Sequence, residues 1–177
     1  MKPCIAFTQA IQLTPWGAIS PCCWFKQRIP YKPEYKFTSL QPIYENEIEK
    51  MRQGNWPIGC IDCKTAEENN VRSRRQYLEK QGKKFTSQDI KIFDINLGNF
   101  CNLRCRMCNP GNSTGWFQER HGRAYDATED TINDLVYSIT NSIKTGTVYI
   151  ELKGGEPFLM PSVEKFIDKL STVDNTK

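Results

Sequence analysis

Three thiols stand within eight residues of this chain, at Cys101, Cys105 and Cys108. Thiolates in that spacing can hold three corners of one iron–sulfur cubane, which leaves a fourth iron without a protein ligand and open to chemistry. Some 45 residues downstream, Gly154-Gly155-Glu156-Pro157 closes a segment that reads as a buried strand, Val148 to Leu152. Two glycines let backbone approach a ligand without Cβ interference, Glu156 offers a carboxylate to a cationic group, and Pro157 stiffens the turn.

The elements that must position these residues follow a βα pattern. Residues 92–97 read as a strand leading into the thiol loop, and 129–144 carry an apolar stripe at helical spacing (Ile132, Leu135, Val136, Ile139, Ile143). A further helix is expected over 162–170. Upstream, residues 5–13 and 18–24 read as two strands joined by Thr14-Pro15-Trp16-Gly17. One helix is expected over 42–53, with Ser39 just upstream. A second is expected to start at a Thr65/Glu68 capping box and run to Gln81. The polar stretch Lys83–Asp89 marks a boundary, dividing the chain into 1–88 and 89–177.

Composition narrows the class. The chain has 177 residues, 38% of them apolar, so a packed core is expected. No apolar run reaches the roughly 18–20 residues that a membrane span needs, and the amino terminus lacks the apolar stretch of a secretory signal. A cytoplasmic protein is expected, and eight cysteines there point to metal or redox chemistry rather than disulfides. Residues 1–90 hold 14 Lys/Arg against 9 Asp/Glu, and 91–177 hold 10 against 11. The excess around Arg72, Arg74, Arg75, Lys80, Lys83 and Lys84 reads as a solvated helix face, and nucleic acid is not an expected partner.

The CxxxCxxC loop followed one βα unit later by GGEP resembles the radical S-adenosylmethionine superfamily. The resemblance implies a 4Fe–4S cluster on Cys101, Cys105 and Cys108 whose open iron chelates S-adenosylmethionine. Gly154, Gly155, Glu156 and Pro157 would bind the nucleotide's amino group, and Met107, where relatives often carry an aromatic residue, would lie near the adenine. The implied reaction is reductive cleavage of S-adenosylmethionine, followed by hydrogen abstraction from a peptide or small-molecule substrate. A flavodoxin or ferredoxin would be the electron donor. No side chain is assigned a separate catalytic role.

Cys4, Gly17, Cys22, Cys60 and Cys63 resemble the opening of a twitch or SPASM module, which implies a second, auxiliary 4Fe–4S cluster on Cys4, Cys22, Cys60 and Cys63. Cys23 is spare, because neighbouring strand residues face opposite ways. The expected fold is therefore α/β: a small cysteine-rich α+β twitch-like domain with a β-hairpin, then an incomplete (β/α) partial barrel of two βα units. Six units at about 30 residues each would need far more chain than 89–177 supplies. A fragment, or a second polypeptide completing the barrel, is the expected explanation. The rival is a non-enzymatic zinc-binding interaction module with two structural cysteine sites. His121 reads as a surface residue, and Trp116 and Phe117 as a shield for the thiol loop.

Overall fold

The computed structural model describes residues 1–32, 37, 42–85, 89–116 and 122–173. Ser39, Phe117 and His121 lie outside them. A single five-stranded sheet organises the molecule, in the order β3-β2-β1-β4-β5. Its members are β1 (Ala10–Leu13), β2 (Ala18–Ser20), β3 (Ile29–Pro30), β4 (Ile92–Asn96) and β5 (Tyr149–Lys153). Strands β1, β2 and β3 form an antiparallel meander. Strand β1 also pairs in parallel with β4, Ala10 opposite Ile92 through Leu13 opposite Ile95, and β4 pairs in parallel with β5. The sheet thus runs across the boundary expected near residue 88.

The expected strand over 5–13 is only half strand. Residues Ala6–Gln9 form a helical turn (α1), closed by Phe7 N–H to the Cys4 carbonyl at 3.2 Å and by Gln9 N–H to the Ile5 carbonyl at 2.7 Å. The second strand stops at Ser20, because Pro21 has no N–H for the ladder, and the chain turns with Phe25 N–H on the Cys22 carbonyl. Cys4 and Cys22 therefore flank the hairpin rather than lie on its strands.

Helix α2 (Glu45–Arg52) begins later than expected, with Tyr44 at its amino-terminal cap. The single helix expected over 65–81 is two helices, α3 (Ile61–Glu68) and α4 (Arg74–Gly82). Asn70 adopts φ 55°, a left-handed conformation that ends α3. The capping box belongs to α4: Ser73 accepts from Gln76 N–H while Gln76 accepts from Ser73 N–H. Thr65 and Glu68 lie inside α3 instead.

Helices α5 (Glu129–Ile143) and α6 (Pro161–Ser171) pack on one face of the sheet through Ile132, Leu135, Ile139, Val163 and Phe166, against Phe93 and Ile95. Lys91, almost wholly buried, is anchored at the α5 terminus by the Ser142 carbonyl and the Thr145 hydroxyl. Strand β5 is an edge, so Tyr149 and Glu151 are exposed where a buried strand was expected. Among the described residues no helix is long and apolar enough to cross a membrane.

Candidate functional site

The carboxyl ends of β1, β4 and β5 open onto one cleft of about 570 Å³. Parallel strands direct their following loops to a common end, which is where such sheets build sites. One wall is Leu152, Lys153, Gly154, Gly155 and Pro157, following β5. The opposite wall comes from the amino-terminal hairpin: Gln12, Thr14, Pro15, Trp16, Cys23 and Arg28. Asn96, Cys108 and Asn112 complete the lining. Among the described residues no acidic side chain lines the cleft.

The thiol loop leaves β4 and is stapled at both ends. Asn99 is wholly buried; its side-chain amide donates to the Arg123 carbonyl at 2.8 Å, and its side-chain oxygen accepts from Tyr125 N–H at 2.8 Å. The Thr114 hydroxyl accepts from Cys101 N–H at 2.9 Å and donates to the Cys101 carbonyl at 3.0 Å, while Ser113 donates to the Leu103 carbonyl at 2.8 Å. Neither Asn99 nor Thr114 was singled out from sequence. Their signal there, polar residues flanking a cysteine run, is too common to mark them.

Cys101 and Cys108 are half-buried and Cys105 is exposed, so the three thiols sit at the mouth rather than in the core. The Cys101 sulfur accepts from Leu103 N–H at 3.4 Å, and Cys108 N–H closes a turn onto the Cys105 carbonyl at 2.9 Å. Of the three, Cys108 lines the cleft. Met107 is 96% exposed at the loop tip and is not part of the lining.

The two glycines meet the loop directly. Gly154 has φ 131°, and a Cβ there would stand 2.5 Å from the Gly98 carbonyl oxygen; a Cβ on Gly155 would stand 2.2 Å from that of Phe100. Glycine at both positions thus lets the β5 end lie against the start of the thiol loop. Glu156 holds the same contact with its N–H on the Phe100 carbonyl, and its side chain is not part of the cleft lining.

Beside the cleft lies an ionic group centred on the buried carboxylate of Asp94. The Lys153 ammonium reaches Asp94 at 2.7 Å and Glu151 at 3.3 Å, and Arg74 from α4 approaches the same carboxylates at 3.9 and 3.7 Å. Sheet register places Gln12, Asp94 and Glu151 side by side on one face. Burial pushes the Asp94 carboxyl up, against the pull of the Lys153 hydrogen bond. Its Oδ1 has no hydrogen-bond partner, an omission that costs about 1–3 kcal/mol for a buried polar atom.

A second group of thiols lies below the hairpin. Cys4, Cys22, Cys60 and Cys63 line one small cavity of about 10 Å³, with Phe7, Phe25, Met51, Trp56 and Arg75. These are the four residues expected at the auxiliary site, brought together from 60 residues of chain. Burial pushes Cys22 and Cys60 up to about 12 and also raises Cys4 and Cys63, the last opposed by N–H groups of Arg75 and Arg74 at the start of α4. Cys22 and Cys23 sit in a turn, not a strand, so strand alternation does not separate them; Cys22 lines this cavity and Cys23 the cleft.

A tetrahedral zinc ion takes four sulfurs at about 2.3 Å, and an iron–sulfur cluster is likewise held by cysteine thiolates. Cys4, Cys22, Cys60 and Cys63, facing one space of about 10 Å³, offer sulfur donors of the type that both use. Among the described residues no three His, Cys, Asp or Glu side chains stand close enough together to hold a single metal ion.

Comparison with known proteins gives partial matches. The chain is 29% identical over 92 residues to GTP 3′,8-cyclase of Aquifex aeolicus, covering 51% of this chain and 27% of that protein. It is 27% identical over 110 residues to 7-carboxy-7-deazaguanine synthase of Rhodopirellula baltica, covering 62% and 38% respectively. A probable GTP 3′,8-cyclase of Methanococcus maripaludis is 28% identical over 83 residues, covering 47% and 25%. The chain thus spans well under half the length of these curated relatives. No family model and no solved structure matches it. The relatives support the radical S-adenosylmethionine reading of the two motifs, and with it a 4Fe–4S cluster and S-adenosylmethionine as the implied cofactors.

Proposed function

We propose that the chain carries the cluster-binding and nucleotide-binding part of a radical S-adenosylmethionine enzyme. One observation carries the reading: the three-thiol loop and the Gly154-Gly155 turn leave adjacent parallel strands and pack against each other at the same end of the sheet. Bound there, the cluster and S-adenosylmethionine would supply one-electron cleavage of a sulfonium and hydrogen abstraction from substrate.

The chain's own residues have distinct parts in this. Cys101, Cys105 and Cys108 would hold three irons, and Asn99 and Thr114 fix their loop. Gly154 and Gly155 bring backbone against Gly98 and Phe100 at the start of the thiol loop, with Pro157 following the turn; Glu156 and Met107 are the remaining residues proposed to meet the nucleotide. Lys153 and Arg28 line the cleft; with Lys153 held by Asp94 and Glu151, Arg28 is the cation proposed to meet an anionic group on nucleotide or substrate.

The amino-terminal half, 1–88, is proposed as a twitch-like module whose Cys4, Cys22, Cys60 and Cys63 hold a second 4Fe–4S cluster. The half 89–177 is proposed as the first part of a partial barrel, completed by further βα units on a second polypeptide or a longer chain. A cytoplasmic flavodoxin or ferredoxin is the proposed electron source. Of the two substrate classes, a small molecule has the support of the relatives' names, which speak of GTP and of a deazaguanine; a peptide has none.

Anaerobic reconstitution with iron and sulfide tests the reading. About eight irons per chain, an absorption bleached by dithionite, and a paramagnetic signal that shifts on adding S-adenosylmethionine are the expected results. Colourless protein carrying two zinc ions would establish the interaction module instead.

A further inference from the structure

We infer that the hairpin wall of the cleft is a substrate subsite, where Arg28 and Gln12 bind the anionic group of a small molecule that carries a flat ring. This rests on the radical S-adenosylmethionine reading and assigns the two walls to different ligands. Sheet register sets the pair up. Gln12 lies opposite Ser20, and Ile19 opposite Ile29. The same antiparallel register, carried one step before β3, brings Arg28 level with Ser20. Gln12, Ser20 and Arg28 thus form one row across the meander, its ends two strand spacings, about 10 Å, apart. Both ends of that row line the cleft.

Unmet bonding capacity points to a ligand at this row. Gln12 is 8% exposed, and the Ser20 hydroxyl takes one end of its amide at 2.9 Å. The other end has no partner among the described residues, yet it is not sealed inside the protein, and it opens on the cleft. A side chain so buried normally has both ends satisfied. Arg28 is exposed and makes no ion pair or hydrogen bond among the described residues. Lys153, the other cation of the lining, is held by Asp94 and Glu151. The hairpin wall therefore carries a positive charge that no neighbour offsets. A guanidinium fork beside an amide suits a carboxylate or a phosphate. Trp16, 45% exposed on the same wall, packs edge-on against Tyr125 at 6.3 Å and offers its face to the rest of the molecule.

The facing wall has a different occupant. Gly154 and Gly155, proposed to meet S-adenosylmethionine, lie against the thiol loop. Hydrogen abstraction needs a substrate held across from the nucleotide, and the hairpin is what stands there. The cysteine-rich half thus selects the substrate, and the βα half supplies the radical.

Calorimetry on the anaerobically reconstituted full chain, with saturating S-adenosylmethionine, tests this. The probes are benzoate and phenyl phosphate, which share a ring and differ in the anion. At least one should bind, and the tighter of the two identifies the anion as carboxylate or phosphate. Benzamide, the neutral analogue of benzoate, should bind more weakly than the tighter anion by roughly tenfold. Arg28→Met should weaken anion binding by roughly tenfold or more. Gln12→Glu, which can keep the Ser20 hydrogen bond, should do the same by repulsion. Lys26→Met makes the same change of charge outside the cleft lining and should leave binding unaltered. Absence of binding by both anions, benzamide binding as tightly as they do, or an equal loss in Lys26→Met overturns the assignment. So does an Arg28→Met protein that keeps the anion. The same holds if Arg28→Met abolishes the response of the paramagnetic signal to S-adenosylmethionine, which would place Arg28 on the cofactor. Where Gln12→Glu does not fold, the exposed Arg28 decides alone. A wild-type signal that ignores S-adenosylmethionine removes the underlying reading, and the substrate role with it, whether or not the anion binds.

Discussion

The backbone N–H of Glu156 donates to the carbonyl oxygen of Phe100 at 2.8 Å, joining the end of β5 to the start of the three-thiol loop. The two motifs are thus one packed unit before any cofactor is considered. The glycines beside Glu156 are needed as much by this contact as by a ligand.

Alanine at Gly155 should therefore disturb the loop itself. Its Cβ would fall on the backbone of Phe100, which cannot rotate away as a side chain would. A loss of about 1–3 kcal/mol in denaturant unfolding is expected, together with reduced iron uptake by the three-thiol loop. Gly146→Ala is the comparison: its φ is 126° but nothing lies within 4 Å of its Cβ. It should lower stability through strain while leaving iron uptake intact.

Replacing Cys101, Cys105 and Cys108 together by alanine should lower reconstituted iron from about eight to about four per chain. The remaining iron should no longer respond to S-adenosylmethionine in the paramagnetic spectrum. Unchanged iron would place the metal elsewhere.

Removing the Arg74 guanidinium leaves Asp94 with Lys153 as its only cation and weakens the hold of α4 on the sheet. Arg74→Met should lower stability by about 1–3 kcal/mol, less than a fully broken buried pair because Lys153 remains. Thermal unfolding at matched pH measures it.

The metal-free protein should lose stability in alkali. Cys22 and Cys60 are raised from 9.0 to about 12 by burial, so the fold favours their neutral thiols. That contribution is fully present below pH 9, where the unfolded thiols are also protonated. It is lost as pH rises from 9 toward 12. Between pH 8 and pH 10 each thiol should account for about 1 kcal/mol of lost stability, read from urea midpoints. If these thiols take up iron as proposed, the loaded protein should not follow this profile.

Much of the site was legible from sequence because its chemistry is local. Cys101, Cys105 and Cys108 are close along the chain, and Gly154-Gly155-Glu156-Pro157 is contiguous, so spacing marked both as candidate motifs. The gathering of Cys4, Cys22, Cys60 and Cys63 was legible through a pattern of longer reach. What sequence could not carry was long-range. The parallel pairing of β1 with β4 leaves no periodic trace in either strand, so the hairpin's place in the cleft wall was not foreseen. The split between α3 and α4 turns on the left-handed backbone of Asn70, which competes with otherwise helical residues. The helical turn at Ala6–Gln9 was missed because residues 5–13 are mostly apolar, with Thr8, Gln9 and Gln12 setting no clear period, a pattern that suits strand and buried helix equally.

Leu13 and Ile95 are partners across that parallel pair, with the whole cysteine-rich segment lying between them in the chain. Parallel contacts of such separation form late and slowly, since a long loop must close before they give any return. On a ribosome, residues 1–88 would emerge first and wait, with one flank of β1 unzipped, until β4 follows. Assembly of the cleft is therefore timed by the second half of the polypeptide, and a nascent chain stalled before Ile92 would expose a sticky strand edge to its neighbours.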